Sequence, residues 1–393
     1  MEPTSLFEIA SRSLKENIIE TKSGPYLRAG AHQFGSLWTR DFCWASRGLE
    51  LCGYDRVVDN HVETLLCSAH PETGLIPRIL ESGSSAQRVV LHTALRALPL
   101  KWLNPRIEAP LKPEYFGEHK TPSYDSNSLV LIAAARTYDR ATQEKKQQLQ
   151  LPIQKTLQFL LDQTDHGQKW FEQPAFSDWQ DSATRLGVSF YSQVLAVQAL
   201  RLWAERGFVA ENIWKNLWEL LKKSFSHPQK GLFLSGSFSL EQVSLESNLL
   251  VLEWNLLSEA ETKELWKNLR GSRVWIQEEI PGIPVEPPYK EWQVSWTTKS
   301  VGLRGYHDAL VWTWLAALAA RVAYRCGDEK EARRIYGRLK VICLSLNTVP
   351  EILDPNTRFL PFENWLYKSE SPFSWAAGQI IEMMKELGLQ ETD

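Results

Sequence analysis

Tyr324-Arg325-Cys326-Gly327-Asp328-Glu329-Lys330 joins two of the longest helical patterns in the chain by almost nothing. Apolar residues recur at helical spacing over 307–326 and again over 328–346. Two such helices with so short a link must run antiparallel as neighbours.

The same pattern extends outward in both directions. Strand-like alternation is scarce, and helical spacing predicts helices over 4–20, 41–52, 55–69, 125–142, 148–164, 188–206, 209–225, 244–257, 259–270, 307–326, 328–346 and 373–388. The links 52–55, 206–209, 257–259 and 326–328 are as short as the first, so the helices pair. The long links, 70–124, 165–187, 226–243, 271–306 and 347–372, lie between pairs and mix Pro, Gly and aromatics. None is low-complexity or linker-like. The 393 residues therefore read as one all-α domain, 1–393, against the two or three domains that length alone suggests.

Polar and aromatic residues cluster just before the even-numbered helices. The clusters are Leu37-Trp38-Thr39-Arg40-Asp41, Ser123-Tyr124-Asp125-Ser126-Asn127, Ser177-Asp178-Trp179-Gln180-Asp181-Ser182, Ser244-Leu245-Glu246-Ser247-Asn248, Gly305-Tyr306-His307-Asp308 and Ser371-Pro372-Phe373-Ser374-Trp375. If odd helices run up and even helices down, a closed ring of six hairpins aims all six at one funnel. Each cluster could equally be an N-cap, since Ser, Asp and Asn are the usual capping residues. Six in alternating phase, nearly all with Trp or Tyr, favour a shared site.

Composition narrows the function. A net charge of -3 with no basic stripe argues against nucleic acid as a partner. The run Leu310–Ala320 is ended by Arg321 and is too short to span a bilayer, and the N-terminus lacks the apolar core of a signal peptide. Five cysteines, an odd number without CxxC spacing, suit reduced thiols in a cytoplasm, with Cys43 and Cys67 in the core. The eight histidines are scattered, so no metal site is expected. No GxSxG, P-loop, GxGxxG or HExxH is present.

What remains is chemistry that two carboxylates perform without a cofactor, with glycoside hydrolysis foremost. Asp178 and Asp181 flank Trp179, whose bulk would desolvate an acid; Asp178 or Asp181 could otherwise cap Ser182-Ala183 or pair with Arg185. Glu351, between apolar neighbours, is the candidate base; its bland reading is a loop glutamate or a partner of Arg358. Trp38, Arg40, Asp41, His307 and Asp308 suit sugar binding, the Arg–Asp pair by gripping vicinal hydroxyls. Trp312 and Trp314 read mostly as core, and Trp375 equally as platform or core.

These residues resemble the six-hairpin glycosidases, an inverting clan with glucoamylase-like, trehalase-like and neutral-invertase-like members. The sequence is most similar to the catalytic domain of glycogen-debranching amylo-α-1,6-glucosidases and their short bacterial relatives. The likeness runs from about Ala29 to Ile381. Trp38-Thr39-Arg40-Asp41, with Gly48-Leu49 and Gly74-Leu75-Ile76-Pro77, resembles a first substrate-binding block, and Tyr124-Asp125-Ser126 a second. Trp179-Gln180-Asp181-Ser182 resembles the acid motif, Tyr306-His307-Asp308 with Val311-Trp312-Thr313-Trp314 a further block, and Pro350-Glu351-Ile352-Leu353-Asp354 the base motif. Pro372-Phe373-Ser374-Trp375 resembles the closing block.

The resemblance implies an (α/α)6 toroid with Asp181 as acid and Glu351 as base. It implies Trp38, Arg40, Asp41, Tyr124, Asp125, Trp179, Tyr306, His307, Asp308 and Trp375 around a carbohydrate substrate, and neither metal nor cofactor. The sequence departs from the family at Thr39, Asp308 and Thr313, where Gly, Asn and Pro are usual; none of these is an acid or base. No strand-rich segment precedes Ala29 to form an accessory β-sandwich, which suits a short soluble sugar. A sucrose-cleaving hydrolase, a glucosylglycerate- or mannosylglycerate-type hydrolase, a sugar epimerase and a non-catalytic sugar binder are the alternatives on the same toroid. The epimerase ranks lower because only one histidine, His307, sits in a motif.

Overall fold

A computed structural model describes residues 5–81, 107, 111–117, 119–275 and 280–389. Among them are twelve helices of nine residues or more: α1 (Leu6–Asn17), α2 (Thr39–Leu51), α3 (Asp55–Cys67), α4 (Asp125–Arg140), α5 (Gln143–Gln163), α6 (Phe190–Glu205), α7 (Glu211–Phe225), α8 (Leu245–Glu253), α9 (Glu259–Arg270), α10 (Thr313–Arg325), α11 (Glu329–Leu346) and α12 (Ser374–Glu386). The even helices pack in sequence, α2 on α4, α6, α8, α10 and α12, and α12 returns to α2. The odd helices pack outside their hairpin partners. This is the (α/α)6 toroid.

Burial follows from the two rings. All nine residues of α8 are buried, and α10 is buried throughout except near its end, as expected for helices covered on every side. The outer helix α7 buries one stripe, Leu217, Trp218, Leu221 and Phe225. The ring closes where α2 crosses α12. A Cβ on Gly48 would stand 2.4 Å from the Gly378 Cα, so only glycine permits that approach.

Charged residues pin the opposite ends of the inner helices. Arg321 of α10 reaches Glu253 of α8 at 2.6 Å and also pairs with Glu382 of α12. Arg136 of α4 binds Glu50 of α2 at 2.8 Å.

Short strands break the expected helical frame. The helix expected over 4–20 stops at Asn17, because β1 (Ile18–Thr21) pairs with β2 (Gly24–Leu27). The one expected over 307–326 begins at Thr313, because β9 (Val311–Trp312) pairs with β10 (Ile352–Asp354), which also pairs with β11 (Leu360–Pro361). Two further sheets form from β3 (Leu37–Trp38), β4 (Ile79–Glu81) and β5 (Lys112–Glu114), and from β6 (Leu234–Gly236), β7 (Ser239–Ser244) and β8 (Val285–Glu286). In each three-stranded sheet one strand leads directly into an inner helix. All five cysteines are free; Cys43 is buried as expected, but Cys67, on the outer helix α3, is exposed. No described helix is long and apolar enough to cross a membrane.

Candidate active site

Helix capping bears on the two readings of the polar clusters, although the outer helices α3 and α7 also lack a side-chain cap. Outer helices α1, α5, α9 and α11 carry side-chain caps from Ser5, Thr142, Ser258 and Asp328. None of the six inner helices has one: the cap residues Trp38, Tyr124, Ser189, Ser244, Trp312 and Phe373 make no capping hydrogen bond through their side chains. The polar residues at these termini are therefore committed elsewhere. The uncapped helix ends favour negative charge nearby.

They are committed largely to one another. Arg40, in the first turn of α2, grips Asp125 at the start of α4 in a two-pronged contact, Nε to Oδ2 at 2.7 Å and Nη2 to Oδ1 at 3.1 Å. Its Nη1 lies 3.4 Å from Oδ2 of Asp181. The arginine is buried, and the two carboxylates hold its guanidinium more firmly protonated than usual. The Asp181 side chain keeps 38% of its surface exposed, so it opens to solvent where Asp125 does not.

Asp178 is placed quite differently. Its carboxylate accepts from Ser189 Oγ at 2.6 Å, Gln173 Nε2 at 3.0 Å and the Gln180 amide at 3.0 Å, and pairs with buried Arg185 at 3.4 Å. Every lone pair of consequence is used within the protein. Arg185 also faces Glu246 at 3.6 Å, while Gln180 bridges Glu246 and the Tyr289 hydroxyl. This buried network holds the Trp179-Gln180-Asp181 loop from behind.

Glu351 lies within electrostatic reach of Asp181. It is 1% exposed and accepts from three donors: the Tyr306 hydroxyl on Oε1, the Tyr367 hydroxyl on Oε2 at 2.6 Å, and the Glu370 amide on Oε2 at 3.1 Å. Burial pushes its pKa up to about 7 against the pull of those donors, and the charge of Asp181 pushes the same way. Asp41 is likewise raised to about 7, by burial first, with Arg40 opposing and Glu351 and Asp181 adding. The three carboxylates therefore lie close enough for their charges to raise the Asp41 and Glu351 pKa values.

An aromatic layer packs against this group. Trp179 meets His307, Trp312, Trp314 and Trp375 edge to face at 5.1–6.0 Å. Trp375 stacks on Trp314 at 4.4 Å and on Trp44 at 6.0 Å, and is 3% exposed. His307 stacks on Trp312, and its Nδ1 is 2.6 Å from the Ser182 hydroxyl; burial holds its pKa well below the ordinary histidine value. The ring is therefore neutral near pH 7.

The structure thus brings Arg40, Asp41, Asp125, Asp181, Tyr306 and Glu351 together and sets Trp179, His307 and Trp375 in the aromatic layer. Trp38 is half-buried between the Phe34 ring and the Arg78 guanidinium. Two candidates stand apart. The Tyr124 ring stacks on Phe171 and leans on Phe159, and Asp308 accepts from the Tyr289 amide and Arg304, both at 2.8 Å.

Tyr367 and Glu370 were not found by sequence reasoning. The Glu370 carboxylate accepts from the His32 and Phe34 amides, and burial lifts it to about 8. Its adjacency to Ser371-Pro372 was the available signal; Tyr367 lies in no pattern. Among the described residues no group of three or more His, Cys, Asp or Glu is placed to hold a metal ion.

The toroid of six hairpins is a fold shared with solved structures of glycosidases. The solved structures that share this fold include a rhamnosidase from Klebsiella oxytoca with rhamnose bound, at TM-score 0.64 and 15% identity over 98% of this chain. This chain spans 63% of that rhamnosidase. A glycosidase variant in complex with glucose matches at TM-score 0.62 and 13% identity, over 98% of both chains. A GH63 mannosylglycerate hydrolase from Thermus thermophilus, in complex with Tris, matches at 0.63 and 11% identity, over 96% of this chain and 99% of the other. No protein-family model and no curated protein sequence matches the chain.

Proposed function

We propose that this protein is an inverting glycoside hydrolase acting on an α-linked glucoside or similar sugar, with Asp181 as general acid and Glu351 as general base. The observation that carries the reading is the unequal setting of two interacting carboxylates. Asp181 is open to solvent, whereas Glu351 is buried under three donors with its pKa near neutrality. A base works best with a pKa near the working pH.

In the proposed reaction the Asp181 carboxyl gives its proton to the glycosidic oxygen as the C1–O bond breaks. Glu351 takes a proton from water, whose oxygen bonds to C1 from the opposite face. The sugar leaves with inverted configuration, and solvent returns the proton from Glu351 to Asp181. Burial pushes the Asp125 pKa up and Arg40 opposes that push while holding the carboxyl in place, so that Asp125 and Asp41 can accept hydroxyls of the terminal sugar. No cofactor takes part.

The sugars bound by the solved neighbours, and the mannosylglycerate substrate of one of them, set the panel that tests this reading. The enzyme is incubated with maltose, isomaltose, trehalose, sucrose, glucosylglycerate, mannosylglycerate and aryl α-glycosides, and the released anomer is followed by proton NMR. Inverted free sugar from one of these supports the proposal. Retained configuration, an epimerised product or binding without turnover overturns it.

A further inference from the structure

Three tryptophans stand almost fully in solvent: Trp292 at 70%, Trp296 at 77% and Trp365 at 87% exposure. Tryptophan is the costliest side chain to leave in water, and exposed clusters of it mark binding surfaces. All three sit on two loops, one fastened to the backbone that follows Asp181 and the other carrying the Tyr367 that holds Glu351.

The first loop is tied to the acid side. Ala183 and Val294 form a β-bridge, the Ser295 amide donates to the Ser182 carbonyl at 2.8 Å, and the Thr184 amide donates to the Gln293 carbonyl at 2.6 Å. Trp292 and Trp296 thus bracket a segment laid against the residues that follow Asp181. The second loop is tied to the base side. Trp365 lies two residues before Tyr367, which holds Glu351. The loops are joined as well: Asn364 Nδ2 donates to the Val301 carbonyl at 2.9 Å, at the end of the helical turn that begins with Trp296.

We infer that Trp292, Trp296 and Trp365 form a collar of further sugar subsites, which bind the pyranose rings beyond the scissile bond of an α-linked oligosaccharide of three or more units. The inference depends on the glycosidase reading for its active centre and adds the chain length of the substrate. The collar is continuous with the site through its loops, and neutral indole faces pair with the apolar faces of pyranose rings while leaving their hydroxyls in water. This chemistry fits a neutral glycan longer than a disaccharide.

The test uses the full-length protein and three single variants, Trp292→Ala, Trp296→Ala and Trp365→Ala. All three residues are exposed, so the fold should persist. Malto- and isomalto-oligosaccharides of two to six units are compared by tryptophan fluorescence titration and by kcat/KM, beside an aryl α-glucoside too short to reach the collar. Affinity for the tetrasaccharide should exceed that for the disaccharide by about tenfold, and at least two variants should cut this ratio by about five- to tenfold. Their aryl glucoside kinetics should match the wild type. Equal affinity across chain lengths, or variants that leave the ratio intact, overturns the collar while the hydrolase reading stands. Hydrolysis of nothing in the panel defeats the hydrolase reading, and fluorescence binding then judges the collar by itself. A concentration-dependent dimer abolished by Trp365→Ala would show the patch to be an interface between copies, and also overturns it.

Discussion

The Tyr367 hydroxyl donates to Oε2 of Glu351 at 2.6 Å, on the same oxygen that receives the Glu370 amide at 3.1 Å. The other oxygen is held by Tyr306, so the carboxylate is fixed at both ends before any substrate arrives. Burial favours the neutral acid and these donors favour the anion; burial, helped by the charge of Asp181, outweighs them and leaves the pKa at about 7. The basicity of the proposed base is therefore raised by burial and restrained by two phenols and one peptide N–H.

Tyr367→Phe tests that balance. Loss of one donor to the anion must raise the Glu351 pKa further, so a larger share of the enzyme is protonated at neutral pH and cannot accept a proton from water. The acidic limb of the kcat profile should move to higher pH, with kcat down on the order of tenfold at pH 6. An unmoved limb in the pH–rate profile would refute the role of Tyr367.

Asp181→Asn and Glu351→Gln should each lower kcat by on the order of a hundredfold to ten-thousandfold with unchanged circular dichroism. The aryl glycoside separates the two. A good leaving group needs little protonation, so Asp181→Asn should retain more of its rate on an activated aryl glycoside than Glu351→Gln does. Wild-type turnover by either variant removes that residue from the mechanism.

The raised carboxylates predict how stability depends on pH. Asp41, Glu246 and Glu351 at about 7 and Glu370 at about 8 all bind protons more tightly folded than unfolded. Their ionisation is then easier in the unfolded chain, so they destabilise the fold progressively as pH rises from the ordinary carboxylate range near 4 to about 8. Each contributes on the order of 1 kcal/mol per pH unit within that window. Glu351→Gln removes one of them. The inactive variant should therefore melt higher than wild type at pH 8 and close to it at pH 4, as read by thermal denaturation across pH. Equal shifts at both pH values would show that the carboxylate is not strained by its setting.

Much of this arrangement was legible before the structure. The helix pairs followed from links such as Gly327-Asp328, because apolar spacing and link length are local properties. Arg40, Asp41, Asp125 and Asp181 lay in clusters whose alternate phase pointed to one end of the ring, and Glu351 stood between apolar neighbours in the last long link. The choice between Asp178 and Asp181 was not legible from the residues alone. It turns on Gln173, Ser189 and Arg185 converging on Asp178, and that convergence exists only after folding. Tyr367 was invisible for the same reason: its partner lies 16 residues away, and no spacing rule links them. The strands that shorten helices α1 and α10 were missed because two- to four-residue ladders carry too little pattern to register.

Arg40→Lys separates charge from geometry at the funnel. Lysine keeps the positive charge beside Asp125 and Asp181 but cannot supply the two parallel donors that fix the Asp125 carboxylate. If Asp125 must be oriented to accept sugar hydroxyls, KM should rise by about tenfold or more with a smaller fall in kcat. A fall confined to kcat would instead assign Arg40 to the proton chemistry of Asp181.

Gly48→Ala probes the closure of the ring itself. The added Cβ would stand 2.4 Å from the Gly378 Cα and 2.6 Å from its carbonyl oxygen, both backbone atoms that no rotamer change can move aside. Helices α2 and α12 would have to separate, and they are the first and last of the inner ring. Overpacking of this kind costs about 1–3 kcal/mol. The same separation would shift Arg40 and Asp41, carried on α2, away from the base side of the funnel, whose closing loop leads into α12. Gly48→Ala should therefore lower both the melting temperature and kcat, although residue 48 lies two helical turns from the nearest site residue. A variant that melts several degrees lower yet keeps full kcat would show that the funnel tolerates a looser seam.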